Sequence, residues 1–187
     1  MHFVAILTFA FFSSCGVFLR VGDLTEKTSA SFPLSEEDFD QAVAAVYSAQ
    51  RRCYYNQIYS FTGLSNNMDD DHLAGGRTLF DDPQIRAQER FQTRNLNEYQ
   101  DPWNNYYTAI FRANFVLESL EAHGETLTES AKNRIEGQAR FLRAHLYYNL
   151  TRLFCEVPLK ITTEPNNPER ESIDNIYSHY KRSEKRD

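Results

Sequence analysis

A chain of 187 residues, 41% hydrophobic and 14% aromatic, is long enough to bury one core and too short to bury several. Its formal net charge of -6, with no stripe of clustered Lys and Arg, excludes nucleic acid as the main partner. There is no G-x-S-x-G elbow, no H-E-x-x-H pair and no glycine-rich phosphate loop, so no enzyme is expected and no cofactor is implied.

The N-terminal end carries a ten-residue apolar run, Phe3 to Phe12, closed by Ser13, Ser14 and Cys15. A helix needs roughly 20 residues to cross a hydrocarbon core of about 30 Å, so this run does not span a membrane. A cleaved secretory signal over residues 1–14 fits it better. Small residues directly before a cysteine have the form of a bacterial lipobox, which would make Cys15 the acylated first residue of the mature chain. His2 stands in place of the usual Lys or Arg, and Phe12 where such motifs carry Leu. Residues 15–33 are rich in Thr and Ser and lack periodicity, as expected of a tether.

The first helix is expected from Ser35, where Ser35 and Asp38 form a capping-box pattern and Glu36, Glu37 and Asp38 complement the helix dipole. Phe39, Ala42, Val43, Val46, Ala49 and Cys53 make its inward stripe. From about Asn56 to Asp101 the periodicity disappears, predicting long loops with at most short strands or turns. Tyr54, Tyr55, Tyr59 and Phe61, at the start of this stretch, are the aromatics placed best for a glycan contact. Asp69, Asp70, Asp71 and His72 are the densest set of candidate metal ligands. A calcium loop would need Gly at its sixth position and Glu at its twelfth, and the chain has Ala74 and Phe80 there, so no metal site is expected.

Two long amphipathic helices follow. Trp103, Tyr106, Ile110, Ala113, Leu117 and Leu120 recur at helical spacing, and so do Ile135, Ala139, Leu142, Leu146, Leu150 and Leu153. The connection, Glu121 to Leu127, is short enough to force an antiparallel hairpin. The second helix is expected to start at a capping box of Thr126 and Glu129 and to run about 27 residues to Phe154, about 40 Å. Their spacing assigns Trp103 and Tyr106 to packing rather than to sugar stacking. His145 lies on the flank beside Phe141 and Tyr148 as a packed or half-exposed side chain. The sequon at Asn149 falls inside the helix, which disfavours glycosylation. Cys53 and Cys155 could pair as a disulfide or remain as ordinary thiols. The tail, Lys181 to Asp187, alternates in sign and reads as a solvated end.

The pattern W-x-x-Y-Y-x-A-I-x-R-A-N-x-V-L at Trp103 to Leu117, followed by R-F-L-R-A-x-x-Y-Y-x-L-x-R-L-F-x-x-V-P-L at Arg140 to Leu159, resembles the N-terminal helical region of the SusD/RagB family. The first helix, S-E-E-D-F-x-x-A-x-x-A-V-Y, and the run from Arg170 to Tyr177 are similar to further parts of it. One departure concerns Cys155, where the family usually has Gly to end the helix in a left-handed conformation that Cys tolerates poorly. The resemblance implies a mainly all-α fold of tetratricopeptide-like hairpins with long irregular loops, residues 34–187 being its N-terminal helical domain, incomplete at the C-terminal end. It also implies a non-catalytic surface lipoprotein, held at the outer membrane through Cys15. Such a protein captures an oligosaccharide, or sometimes a peptide, and delivers it to a SusC-like TonB-dependent transporter. Family ligand contacts follow no shared motif, so ligand-binding residues stay unassigned. The alternatives are a helical-repeat adaptor for a protein partner, or a truncated fragment without function.

Overall fold

The computed structural model describes residues 32–183, apart from 56–59, 74, 77, 79, 82 and 93–98. The signal segment, Cys15, nearly all of the tether, Tyr59 and the last four residues lie outside the described residues. Helix α1 (Glu36–Tyr55) opens with the expected reciprocal cap: the Asp38 N–H donates to Ser35 Oγ at 3.2 Å and the Ser35 N–H to Asp38 Oδ2 at 3.3 Å. All six residues of its expected stripe are buried.

The stretch expected to be loops holds two short helices, α2 (Phe61–Asn67) and α3 (Pro83–Glu89). Each is seven residues long, too short for an apolar stripe to declare a period. Local and polar contacts hold them instead. Ser60 caps α2 by accepting from the Gly63 N–H, and the buried Asn67 Nδ2 donates to the buried Gln88 Oε1 at 2.8 Å, joining α2 to α3. Arg86 donates to the carbonyls of Gly75, Thr78 and Asp81 and so organises the loop between them.

Helices α4 (Gln100–His123) and α5 (Glu129–Phe154) form the expected hairpin. Trp103 meets Phe154, Asn114 meets Arg143, and Gly124 lies beside Lys132, a closing series of pairs that requires the two helices to run antiparallel. The connection is shorter than expected. Helix α4 continues to His123, a single 3-10 turn covers Gly124–Thr126, and the cap of α5 is Thr128, whose Oγ1 accepts from the Ala131 N–H at 3.2 Å. Thr126 instead donates to the carbonyls of His123 and Leu34, so the expected capping box of Thr126 and Glu129 does not form and a single side-chain cap two residues on takes its place. Helix α1 packs against both members of the hairpin, making the core a three-helix unit rather than a pair. Ile135, Ala139, Leu142, Leu146 and Leu150 are all buried within it.

Cys155 ends α5 with φ 60° and ψ -114°, a conformation that L side chains rarely adopt. The departure at this position is therefore real: the backbone takes a glycine-like turn and carries a side chain through it. Cys155 is exposed, Cys53 is buried, and both are free thiols, so the disulfide does not form. Burial pushes the Cys53 thiol up to about 12, which leaves it protonated and inert. After the turn, β1 (Val157–Pro158) pairs antiparallel with β2 (Arg170–Glu171), Val157 opposite Glu171 and Pro158 opposite Arg170. Helix α6 (Ile173–Ser183) follows, capped by Ser172 and anchored by the buried Ile176.

Candidate functional site

The segment leaving β1 is clamped to the hairpin by side chains from both of its helices. Tyr107 donates to the Pro158 carbonyl at 2.8 Å, and the Lys160 N–H donates to the Tyr147 hydroxyl at 2.6 Å. Asn114, 1% exposed, donates to the carbonyls of Lys160 and Thr162, both at 3.1 Å, and accepts from Arg143 at 2.8 Å. Glu118 accepts from the Thr163 N–H at 2.7 Å and from the Thr163 hydroxyl. Burial raises the Tyr107 and Tyr147 phenols, Tyr147 to about 12, so both stay protonated and able to donate.

Two adjoining clefts share Trp103, and the clamp lines the first of them. The first, about 470 Å³, is lined by Trp103, Asn104, Tyr107, Phe111, Lys160 and Asn167 together with Thr108 and Pro158. The second, about 690 Å³, lies against Trp103, Phe154, Arg152 and Arg170, with Leu64, Met68, Tyr99 and Gln100 among its walls. Trp103 is half-buried, with ring contacts to Tyr107 at 4.9 Å and to Phe154 at 5.2 Å, the latter edge-on. Phe111 is 51% exposed, and Asn104, Thr108 and Asn167 are exposed beside it. An aromatic ring fixed in place, with amide and hydroxyl groups at its edge, suits the apolar face and the hydroxyl rim of a sugar.

The packing role expected of Tyr106 and Trp103 holds: Tyr106 is fully buried, and Trp103 packs against the edge of the core, where it also forms the ridge between the clefts. Of the aromatics favoured from sequence, Tyr54 and Phe61 line neither cleft, while Tyr59 and the side chain of Tyr55 lie outside the described residues. Tyr54 hydrogen-bonds His145 Nε2 at 2.6 Å and meets Phe61 edge-on, with ring centroids 5.8 Å apart. His145 is half-buried, stacked on Phe141, and Asn149 is buried with its amide on the Tyr54 hydroxyl, so the sequon is closed to modification. Asp69, Asp70 and Asp71 cluster on the surface, where a proton shared with the Asp70 carboxyl and then the Asp70 N–H hold the Asp69 carboxyl below the usual carboxylate range. The three carboxylates come within 4.8 Å of one another, and Asp69 and Asp70 line a shallow surface cleft with His72, Glu89 and Phe91.

Over residues 23–184 the chain matches a family model described as "Starch-binding associating with outer membrane". Two relatives from Formosa agariphila are similar to it. SusD-like protein P25 is 26% identical over 87% of this chain and 31% of its own length, and SusD-like protein P38 is 23% identical over 98% of this chain and 36% of its own. Among solved structures, a SusD superfamily protein from Bacteroides vulgatus superposes with a TM-score of 0.67 at 23% identity, over 81% of this chain and 33% of that one. A laminarin binding SusD-like protein superposes with a TM-score of 0.66 at 26% identity, over 78% of this chain and 32% of that one. The chain thus spans about a third of the length of these relatives. Its mainly helical, tetratricopeptide-like architecture is theirs. The chain belongs to the SusD-like family.

Proposed function

We propose that this chain is a non-catalytic carbohydrate-binding protein whose sugar contact is the surface around Trp103. The observation that carries the reading is the half-buried Trp103 ring standing between two clefts, with Asn104, Thr108 and Asn167 as hydrogen-bonding partners for sugar hydroxyls. The family description and the laminarin-binding relative support a glycan as ligand. The remainder of the proposal follows from the sequence. Residues 1–14 are a lipoprotein-type signal, Cys15 is the acylated anchor, and residues 15–33 are the tether that lifts the helical domain from the outer membrane. Bound glycan then passes to a SusC-like TonB-dependent transporter. No helix among the described residues is long and apolar enough to cross a membrane.

Calorimetric titration of the chain with a panel of oligosaccharides, laminarin fragments included, tests the binding claim. Saturable binding is expected for the unaltered chain. Replacing Trp103 by Ala should weaken it at least about tenfold, about 1.4 kcal/mol, while the double change of Asn104→Ala and Asn167→Ala, which leaves the core intact, should weaken it independently. Absence of binding to every glycan, or affinities untouched by both variants, would overturn the reading.

A further inference from the structure

We infer that the Trp103 clefts select negatively charged glycans, those bearing uronate carboxylates or sulfate esters, over neutral ones. The inference deepens the carbohydrate-binding reading of the same clefts and rests on it. Lys160 lines one cleft, Arg152 and Arg170 line the other, and among the described residues no Asp or Glu lines either. This is a local inversion of charge, because Asp and Glu outnumber Lys and Arg by 26 to 20 in the whole chain.

Aromatic faces hold the three cations. The Arg170 guanidinium lies 5.5 Å from the Trp103 ring centroid and donates through Nη1 to the Glu156 carbonyl at 3.1 Å. Lys160 Nζ lies 5.8 Å from the Tyr107 ring. Arg152 sits between Phe61 at 5.3 Å and Tyr148 at 5.4 Å. These contacts orient the charged groups and leave N–H donors unused, since a ring face occupies no lone pair and no proton. Among the described residues none of the three forms an ion pair, whereas Arg134 and Arg140 on the outer surface are paired with carboxylates. Glu171, next to Arg170 in the chain, accepts from Asn175 instead. Cations that are fixed, unneutralised and set around a sugar-stacking ring focus positive potential in a cleft, and a ligand with its own negative charges answers it.

Three probes of equal length separate the outcomes: laminarihexaose as the neutral glycan, hexagalacturonate as the carboxylate, and a sulfated galactan hexasaccharide as the sulfate ester. At least one anionic probe should bind at least about tenfold more tightly than laminarihexaose at low salt, and the preferred anion identifies the source of the charge. The advantage should shrink as NaCl rises from about 0.05 M to about 0.5 M. Arg170→Gln and Lys160→Gln should each reduce the ratio of anionic to neutral affinity, a readout that a general loss of fold would not move. Laminarihexaose binding as tightly as both anions would overturn the selectivity and leave the carbohydrate reading standing. Failure of all three probes would overturn both.

Discussion

Asn114 shows what a single residue of the shared pattern does. Its side chain faces two backbone carbonyls and one guanidinium, and no residue without both a donor and an acceptor can serve all three. Asn114→Ala would remove the side-chain donor to the Thr162 carbonyl, leave the Lys160 carbonyl to the Tyr147 hydroxyl alone and deprive Arg143 of this partner. A loss of about 1–3 kcal/mol in denaturant unfolding is expected. Arg112 has a comparable part, donating to the Ala45 carbonyl at 2.9 Å and fixing α1 against α4. Cys155 is the reverse case, a residue at odds with its backbone. Relieving that turn by Cys155→Gly should raise stability by about 1 kcal/mol or more, read as a higher melting temperature, because a non-glycine residue held in such a region costs about 1–3 kcal/mol. An unchanged or lower melting temperature would show that the turn is tolerated without strain. The departure was visible in the sequence because only one residue type fits such a turn cheaply.

At the scale of elements, the long helices were legible because burial imposes a period on them. The stripes of α1 and α5 match the buried residues almost position by position, and only Leu153, at the end of α5, is partly exposed. Leu142→Ala and Leu146→Ala should therefore each cost on the order of 2–5 kcal/mol, against little change for Lys132→Ala, measured by thermal or denaturant melts. The short helices α2 and α3 were not legible, since one capping serine and one buried amide pair leave no repeating signal. Trp103 packs against the core as its spacing required, but its half-exposed face beside the clefts was not legible, for a related reason. It sits on the stripe of α4 but in the first turn, where the partner helix ends, and its cleft neighbours Lys160, Asn167 and Arg170 arrive from distant segments that no spacing rule connects. The hairpin also sets an alkaline limit. Burial raises the phenols of Tyr106, Tyr107, Tyr147 and Tyr180, so each remains protonated in the fold while it ionises near 10.0 when unfolded. Their contribution is fully present below pH 10 and is lost as pH rises through the folded values, for Tyr147 toward about 12. Melting temperature should fall steeply over that window, and a flat profile would contradict the burial of these hydroxyls.

For the whole molecule, the proposal joins a lipid-held N-terminus to a helical domain with a charged, aromatic-rimmed binding surface. Attachment can be tested apart from binding. Metabolic labelling with a palmitate analogue should mark the chain, and Cys15→Ala should abolish the label and release the protein from membranes, whereas equal labelling of both would remove the anchor. The binding surface has a built-in reporter, because Trp103 is the only tryptophan in the chain. Its ring is half-buried between the two clefts and close to Arg170, so a sugar that stacks there must change its surroundings. The most direct measurement is intrinsic fluorescence during titration with whichever glycan binds in calorimetry. A saturable shift or quenching of Trp103 emission, with the same midpoint as the heat of binding, is the expected result. Binding heat without any change in that emission would put the ligand elsewhere and contradict the site.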